Sequence, residues 1–174
     1  SFTTPCVDLV GRWPYGPSQA VAIEGENIYF SSGPVLIIGS LADPTNPERL
    51  GEIMLPDLIY GIKATGTILF VADGYAGLRI IDISDPVHPL EIGFYDGPGF
   101  TMDVEVEGSY AFLASWDAGL RILDISNLEH PIEISSFDPN GCAISVAVSG
   151  SRLFVACDGF WELDITNPAF PVQV

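Results

Sequence analysis

Residues 77–89, with the sequence GLRIIDISDPVHP, decide the fold because related stretches recur along the whole chain. The apolar run at 78–83 predicts a buried β-strand. The Asp-Pro and His-Pro steps that follow would end this strand, since proline has no backbone N–H for the ladder of a sheet. Related copies occupy residues 119–131, 161–171 and, with the most differences, 36–47. The chain is therefore predicted to be an array of one repeated unit.

A regular period relates the copies. Gly25, Gly66, Gly108 and Gly150 each fall at a predicted turn, and they follow one another at steps of 41, 42 and 42 residues. Each period holds four short apolar segments joined by short turns, which indicates a four-stranded antiparallel meander. A fixed period of this length is typical of stacked copies of one supersecondary unit.

A sheet of four short strands cannot bury both of its faces alone, so we expect the copies to pack face to face. The predicted fold class is all-β, a β-propeller of about four blades of roughly 42 residues, each a four-stranded antiparallel sheet. A linear β-solenoid is the alternative, although its repeats are normally shorter. We expect one domain, 1–174, with blades at about 18–58, 59–99, 100–140 and 141–174, and residues 7–13 as an outer strand. A closed four-bladed ring and a part of a larger propeller both fit this pattern.

The chain is strongly acidic, with a net charge of −17 from 23 acidic and 6 basic residues. So few cations cannot form a basic patch, which argues against nucleic acid and anionic membranes as partners. No apolar run approaches the roughly 20 residues of a membrane-spanning helix, so direct membrane insertion is not predicted. The chain begins with neither methionine nor a basic leader, and we expect a processed or excerpted chain without its signal peptide.

Three cysteines are too few for a disulfide scaffold, and their spacing is not that of a metal site. Cys142 and Cys157 fall on strands that are predicted to be neighbours. Depending on the register of those strands, the two residues form a cross-strand disulfide or remain separate thiols. The sequence leaves both alternatives open.

The repeat resembles the LVIVD repeat of bacterial and archaeal surface proteins. The resemblance is clearest at 78–89 (LRIIDISDPVHP), which Gly77 and the segment 69–74 (LFVADG) precede, and it extends over roughly 7–174. The copy at 36–47 departs most, since it has Gly39 where the other copies have aspartate. The resemblance implies a propeller that is exported or anchored at the cell surface, often within larger proteins. It implies no catalytic activity.

Aromatic and acidic residues concentrate in the connections that a propeller places on one face. These connections run from the second to the third strand of a blade, and from the fourth strand to the next blade. Rigid rings with carboxylates between them suit stacking on sugars, or capture of Lys and Arg side chains. Some of the rings could instead belong to the core between blades. The candidate ligand-binding residues are Tyr15, Tyr60, Tyr75, Phe100, Trp116, Asp117 and Phe160.

Other acidic residues invite a metal or a structural interpretation. Asp82, Asp124 and Asp164 occupy one position of the repeat, where each is predicted to lock a turn by accepting a backbone N–H. Residues that recur once per blade do not converge on one ion. Calcium held by two acidic loops is an alternative, although no Asp-x-Asp-x-Asp loop is present. No other cofactor is predicted.

The predicted function is a non-catalytic extracellular or cell-surface module that binds a protein or a glycan, or that assembles with copies of itself as a scaffold. The alternative is a propeller-fold hydrolase that uses Asp103 and Glu105 as channel acids. The other copies have no carboxylate at the position equivalent to Asp103. His88 and His130 both precede proline in predicted turns, and they are interpreted as turn residues.

Overall fold

The structure is a computed structural model that describes residues 16–43, 45–46 and 48–174. These residues form four β-sheets, numbered here in chain order. Sheet 1 contains β1 (Val21–Glu24), β2 (Asn27–Ser32), β3 (Val35–Ser40) and β4 (Glu48–Met54). Sheet 2 contains β5 (Gly61–Thr65), β6 (Ile68–Ala72), β7 (Leu78–Asp82) and β8 (Leu90–Tyr95). Sheet 3 contains β9 (Asp103–Glu107), β10 (Tyr110–Ala114), β11 (Leu120–Asp124) and β12 (Ile132–Phe137). Sheet 4 contains β13 (Ser145–Ser149), β14 (Arg152–Ala156), β15 (Phe160–Asp164) and β16 (Val172–Gln173).

Every sheet is an antiparallel meander whose strands lie side by side in chain order. The described residues include no helix. The turn between the first and second strand of each sheet begins with a predicted glycine in the left-handed region, as Gly66 shows with φ +60°. Any other residue type would be strained in this conformation. The predicted all-β fold of four-stranded antiparallel repeats is confirmed.

Apolar clusters join each sheet to the next one. Successive residues of a strand point to opposite faces of its sheet, so Leu69 packs toward sheet 1 while its neighbour Phe70 packs toward sheet 3. The second strands of the inner sheets, β6 and β10, therefore contain no charged residue, because neighbouring sheets cover both of their faces. Representative members are Tyr29, Leu36 and Ile81 between sheets 1 and 2, Phe70, Leu78 and Leu113 between sheets 2 and 3, and Phe112, Leu120 and Leu153 between sheets 3 and 4.

The four sheets do not close into a ring. Three apolar clusters join consecutive sheets, and no such cluster joins sheet 4 to sheet 1 within the ranges 16–43, 45–46 and 48–174. This arrangement is consistent with part of a propeller, one of the two alternatives that the sequence left open. The predicted outer strand at 7–13 lies outside the described residues.

The repeated aspartates have the predicted turn-locking contacts. Oδ1 of Asp82 accepts the backbone N–H of Ser84 at 2.8 Å, and Asp124 and Asp164 bond the residue two positions further on at the same distance. Hydrogen bonds to the ionised form hold the pKa of these three carboxyls below their usual range. The structural interpretation of these residues is confirmed.

Cys142 and Cys157 are free, half-buried thiols. The ladder between β13 and β14 extends only as far as the pair Ser145 and Ala156. Before that point Ala143 pairs with Trp116 of the neighbouring sheet. The chain has therefore left the ladder at Cys142, and the strand register does not bring the two sulfurs together.

Within the described part of the chain, no helix is long and apolar enough to span a bilayer.

Candidate functional site

Four connections meet at one edge of sheets 2 and 3 and form a cup of aromatic side chains. The open cavity between them has a volume of about 330 Å³. Its residues come from the β4–β5, β6–β7, β8–β9 and β10–β11 connections or the positions beside them. We call this feature the aromatic cup, and its lining residues are Tyr60, Tyr75, Phe100, Met102 and Trp116.

Phe100 lies at the centre of the cup, between two tyrosine rings. The ring centroids of Tyr60 and Phe100 are 4.7 Å apart, with an angle of 73° between the ring planes. Tyr75 approaches Phe100 at the same distance, with an angle of 83°. Edge-to-face pairs of this kind are favourable, because the positive edge of one ring meets the negative face of the other. The three rings therefore form walls that meet at steep angles.

Trp116 reaches the cup from a strained backbone position. Its φ is +43°, in the left-handed region, where a non-glycine residue costs about 1–2 kcal/mol. Two hydrogen bonds with Ala143 hold it there: the Trp116 N–H donates to the Ala143 carbonyl at 3.0 Å, and the Ala143 N–H donates back at 2.9 Å. Strain of this kind is common at functional sites, where the surrounding structure sustains it.

A carboxylate pair supports the loop that carries Tyr75. Oδ2 of Asp57 accepts the backbone N–H of Tyr75 at 2.8 Å. The backbone N–H of Asp57 in turn donates to Oδ2 of Asp73 at 3.2 Å. Asp73 is completely buried, and its Oδ1 has no hydrogen-bond partner among the described residues. Burial raises the pKa of Asp73 to about 6, against the opposing effects of the Asp57 N–H and the Arg79 charge.

Arg79 connects this buried carboxylate to the outer strand of sheet 2. Its guanidinium lies 2.7 Å from Asp96, 3.3 Å from Glu91 and 3.8 Å from Asp73. The guanidinium carbon also lies 4.9 Å from the centroid of the Phe94 ring. Since only 8% of Arg79 is exposed, these contacts lie in a partly dry environment and hold the β6–β7 connection on the sheet.

The structure brings together four of the seven predicted binding residues, namely Tyr60, Tyr75, Phe100 and Trp116. Asp117 follows Trp116 in the chain and is exposed, but it is not among the residues that line the cup. Phe160 lies elsewhere, on sheet 4, where its ring stacks on Phe154 with centroids 5.7 Å apart. The predicted residue Tyr15 lies outside the described residues.

Met102 and Arg79 belong to this region but were not predicted. Met102 lies one position before β9 and completes the cup. Its signal in the sequence was weak, because a methionine beside a strand is usually a core residue. Arg79 recurs as Arg121 in the next copy and looks like a feature of the repeat. The residue that could have drawn attention to Arg79 is its neighbour Asp73, because the equivalent residue in the next copy is the uncharged Ser115.

The two acids of the hydrolase alternative have structural partners. Oδ2 of Asp103 accepts hydrogen bonds from the Ser145 hydroxyl at 2.6 Å and the Val146 N–H at 3.1 Å. It therefore links the innermost strands of sheets 3 and 4. Glu105 forms an ion pair with Lys63 at 2.6 Å, which links sheets 2 and 3 in the same manner.

Across the described ranges, no group of three or more His, Cys, Asp or Glu residues is arranged to hold a metal ion. Calcium thus stays an alternative raised by the sequence only. A larger hollow of about 430 Å³ lies between sheets 3 and 4, at the edge that carries the first hairpin turns. Glycine, serine and proline make up half of its ten lining residues and only two are aromatic, whereas four of the five residues that line the cup are aromatic.

Solved structures with a similar fold place the chain in the class of β-propellers. The computationally designed Ika4 protein matches with a TM-score of 0.70 at 8% identity, over 94% of this chain and 99% of that one. The designed Ika8 protein matches with a TM-score of 0.70 at 8% identity, over 85% of this chain and 46% of its own. The β-propeller domain of Cps50 (Swd1) from Myceliophteria thermophila matches with a TM-score of 0.68 at 16% identity, over 88% and 54%. The chain spans about half the length of the last two structures, and at these identities the likeness shows the fold alone.

The repeat itself identifies the family. Residues 60–97, 98–139 and 140–174 each match the LVIVD repeat. The chain therefore belongs to the LVIVD repeat family, as the resemblance predicted. Sheet 1, formed by the most divergent copy, precedes the matched residues. No curated protein matches the chain.

Proposed function

We propose that this chain is a non-catalytic binding module that takes its ligand in the aromatic cup. One observation carries the proposal: Tyr60, Tyr75, Phe100 and Trp116 come from four separate connections and line a single cavity. The volume of about 330 Å³ falls at the lower end of the range for ligand pockets, roughly 300–1,000 Å³. A small group or a single side chain of a larger ligand would fit this cup.

Exposure of the rings supports a role in recognition. Tyr75 is 76% exposed and Trp116 is 40% exposed, so both rings are accessible to a ligand, and exposed apolar side chains that are grouped in one place mark binding sites. Aromatic side chains lose little conformational entropy on binding and supply much contact area. The ligand would be a protein or a glycan. We also propose that the module works outside the cell or at its surface, which rests on the resemblance to repeats of surface proteins.

Arrays of oligosaccharides and of peptides, probed with the labelled protein, test this function. Ligands recognised through the cup should lose at least about 10-fold in affinity with Tyr75→Ala or Trp116→Gly, because a buried aromatic anchor contributes about 1–2 kcal/mol or more. Phe170→Ala is the matched control, since Phe170 is 74% exposed and follows β15, outside the cup. If no probe binds, or if the cup variants bind as well as the control, the cup is not the binding site.

Self-assembly is a second candidate function, and the outer face of sheet 4 favours it. Phe154 of β14 is the counterpart of Phe70 and Phe112, which are 3% and 1% exposed because the next sheet covers them. Phe154 is half-buried, and Phe160 beside it is 71% exposed. This face continues the pattern by which the sheets pack on one another. A second copy of the chain could cover it.

Sedimentation of the purified chain at increasing concentration tests assembly. If this face is the contact, the wild type should associate as its concentration rises. The Phe160→Glu variant should stay monomeric, because association would bury its charge without a partner. Phe170→Glu adds the same charge to a comparably exposed ring outside the face and should leave association unchanged. Identical sedimentation of all three proteins would remove this candidate.

A further inference from the structure

The aromatic cup has a carboxylate beside its central ring. A Cβ atom built at Gly74 would lie 2.6 Å from Oδ2 of Asp57 and 3.2 Å from Cε2 of Phe100. The carboxylate and the ring edge therefore border the same small space. Only glycine leaves that space open, and the Asp57 carboxylate can therefore lie close to the edge of Phe100.

Asp57 is fixed in place, and only part of its hydrogen-bonding capacity is used. Its two oxygens accept one backbone N–H each, from Leu58 and from Tyr75, both at 2.8 Å. A carboxylate has about four acceptor positions, so each oxygen has a lone pair left. Among the described residues, Asp57 forms no salt bridge, and the nearby Arg79 pairs with other carboxylates. The negative charge of Asp57 is thus available to a ligand.

The ring geometry favours a cation over a sugar. Sugars usually stack on one flat, open ring and need several hydrogen-bond partners around it. Here Tyr60 and Tyr75 stand at 73° and 83° to Phe100, which gives a corner with walls on several sides. An ammonium head group in such a corner lies near several aromatic rings, the surroundings that favour quaternary ammonium ligands.

The charge of the whole chain acts in the same direction. With a net charge of −17, the protein attracts cations and repels anions at low ionic strength. Among the described residues that line the cup there is no lysine or arginine.

We propose that the aromatic cup binds the cationic side chain of a basic polypeptide, with an alkylated ammonium group seated against Phe100, Tyr75 and Trp116 and held by Asp57. This inference rests on the proposed function of the cup and names its ligand class. A methylated lysine fits best, because its positive charge is spread over methyl groups that are easily removed from water. An unmodified lysine would keep more of its hydration and bind more weakly.

Titration of the intact chain with a capped trimethyllysine, followed by NMR of the Trp116 indole, tests the proposal. Its control probe is the neutral isostere in which carbon replaces the quaternary nitrogen, so that shape and apolar area stay the same. We expect the cation to bind about 10-fold more tightly than the isostere. Asp57→Asn should weaken binding of the cation several-fold and leave the isostere unchanged, while Phe170→Ala should alter neither.

The outcomes separate this inference from the proposed function. Equal affinities for the cation and the isostere would overturn the cationic ligand and leave a merely apolar cup. A shift of the Trp116 signal by cellobiose, in place of trimethyllysine, would also overturn it and identify a glycan site. If none of the three probes shifts the Trp116 signal, this inference fails, while a ligand found on the arrays and lost with Tyr75→Ala would still support the proposed function.

Discussion

The connections β6–β7 and β10–β11 have the same backbone but different side chains. In each, the first residue donates its N–H to a glycine carbonyl at 2.8 Å, from Asp73 to Gly77 and from Ser115 to Gly119. The second residue of each turn is left-handed, with φ +54° at Gly74 and +43° at Trp116. The repeat therefore determines the path of the chain, and the side chains placed on it differ freely.

Those side chains reach the cup by two routes. In the β6–β7 connection glycine occupies the left-handed position, and the aromatic residue Tyr75 follows it. In the β10–β11 connection Trp116 itself takes the left-handed position and accepts the strain. Both rings nevertheless line one cavity. The comparison shows that a site can arise on a repeat fold through changes confined to the equivalent loops.

Replacing the closing glycine of either turn should have the largest effect. A Cβ at Gly77 would lie 2.2 Å from the Tyr95 carbonyl oxygen, and one at Gly119 would lie 2.6 Å from that of Phe137. Left-handed strain costs about 1–2 kcal/mol, and overpacking costs about 1–3 kcal/mol. Gly77→Ala should therefore lower the free energy of unfolding by roughly 2–5 kcal/mol, and Gly119→Ala should lower it by less. Urea unfolding measures both losses.

Gly108→Ala isolates the contribution of the strain. Gly108 has φ +59°, yet a Cβ there would have no atom within 4 Å. The free energy of unfolding of this variant should fall by only about 1 kcal/mol. If Gly77→Ala loses no more than Gly108→Ala, the close approach to Tyr95 is not a constraint on the turn.

The buried first residue of the β6–β7 turn should make stability depend on pH. The pKa of Asp73 is raised from 3.8 to about 6 in the folded state. The folded state therefore favours the protonated carboxyl. The contribution of Asp73 to stability is greatest below about pH 4 and falls as the pH rises to about 6. Asp73→Asn removes the titration, and its stability relative to the wild type should rise by about 2 kcal/mol between pH 4.5 and 7.5.

Urea unfolding at pH 4.5, 6 and 7.5 measures this difference. Ser115 occupies the equivalent place without a titrating group, and Ser115→Ala serves as the control with no such pH dependence. Parallel stability curves for wild type and Asp73→Asn would show that Asp73 has an ordinary pKa.

The variant Trp116→Gly should be more stable than the variant Trp116→Ala. Both changes remove the ring, but only glycine also relieves the left-handed strain at φ +43°. Trp116→Gly should therefore exceed Trp116→Ala in stability by about 1 kcal/mol. Tyr75 is not left-handed, so the same pair of changes there should show no advantage for glycine. An equal gain at both positions would contradict the strain at Trp116.

The smallest change in stability is expected for Tyr75→Ala. With 76% of Tyr75 exposed, its loss should alter the free energy of unfolding by no more than about 0.5 kcal/mol. Thermal unfolding followed by circular dichroism measures this. A larger loss would mean that the Tyr75 ring is a part of the core and not a surface for ligands.

The repeat pattern predicted the strands, their order and the locked turns, because these depend on local signals such as turn glycines and apolar runs. It also predicted which connections share a face, and hence four members of the cup. The pattern also grouped Phe160 with these residues, but Phe160 lies on sheet 4, away from the cup. The last copy is two residues shorter between Asp158 and Asp164, so β15 begins at Phe160 and the ring lies on the sheet.

The buried charges near the cup could not be predicted from the sequence. Asp73 stood among several loop acids with similar neighbours, and its burial depends on how the β4–β5 connection packs over it. The free state of Cys142 has a similar origin, since Ala143 pairs with a residue of another sheet. Contacts between repeats decided both features, and the spacing within one repeat gave no signal for them.

The most direct test of the account is whether the rings of the cup meet in solution. With centroids 4.7 Å apart, Phe100 should show nuclear Overhauser effects between its ring protons and those of both Tyr60 and Tyr75. Observing both sets of contacts in the intact chain is the predicted result. Their absence, with Phe100 and the tyrosines each surrounded by water, would contradict a cup assembled from the connections of neighbouring sheets.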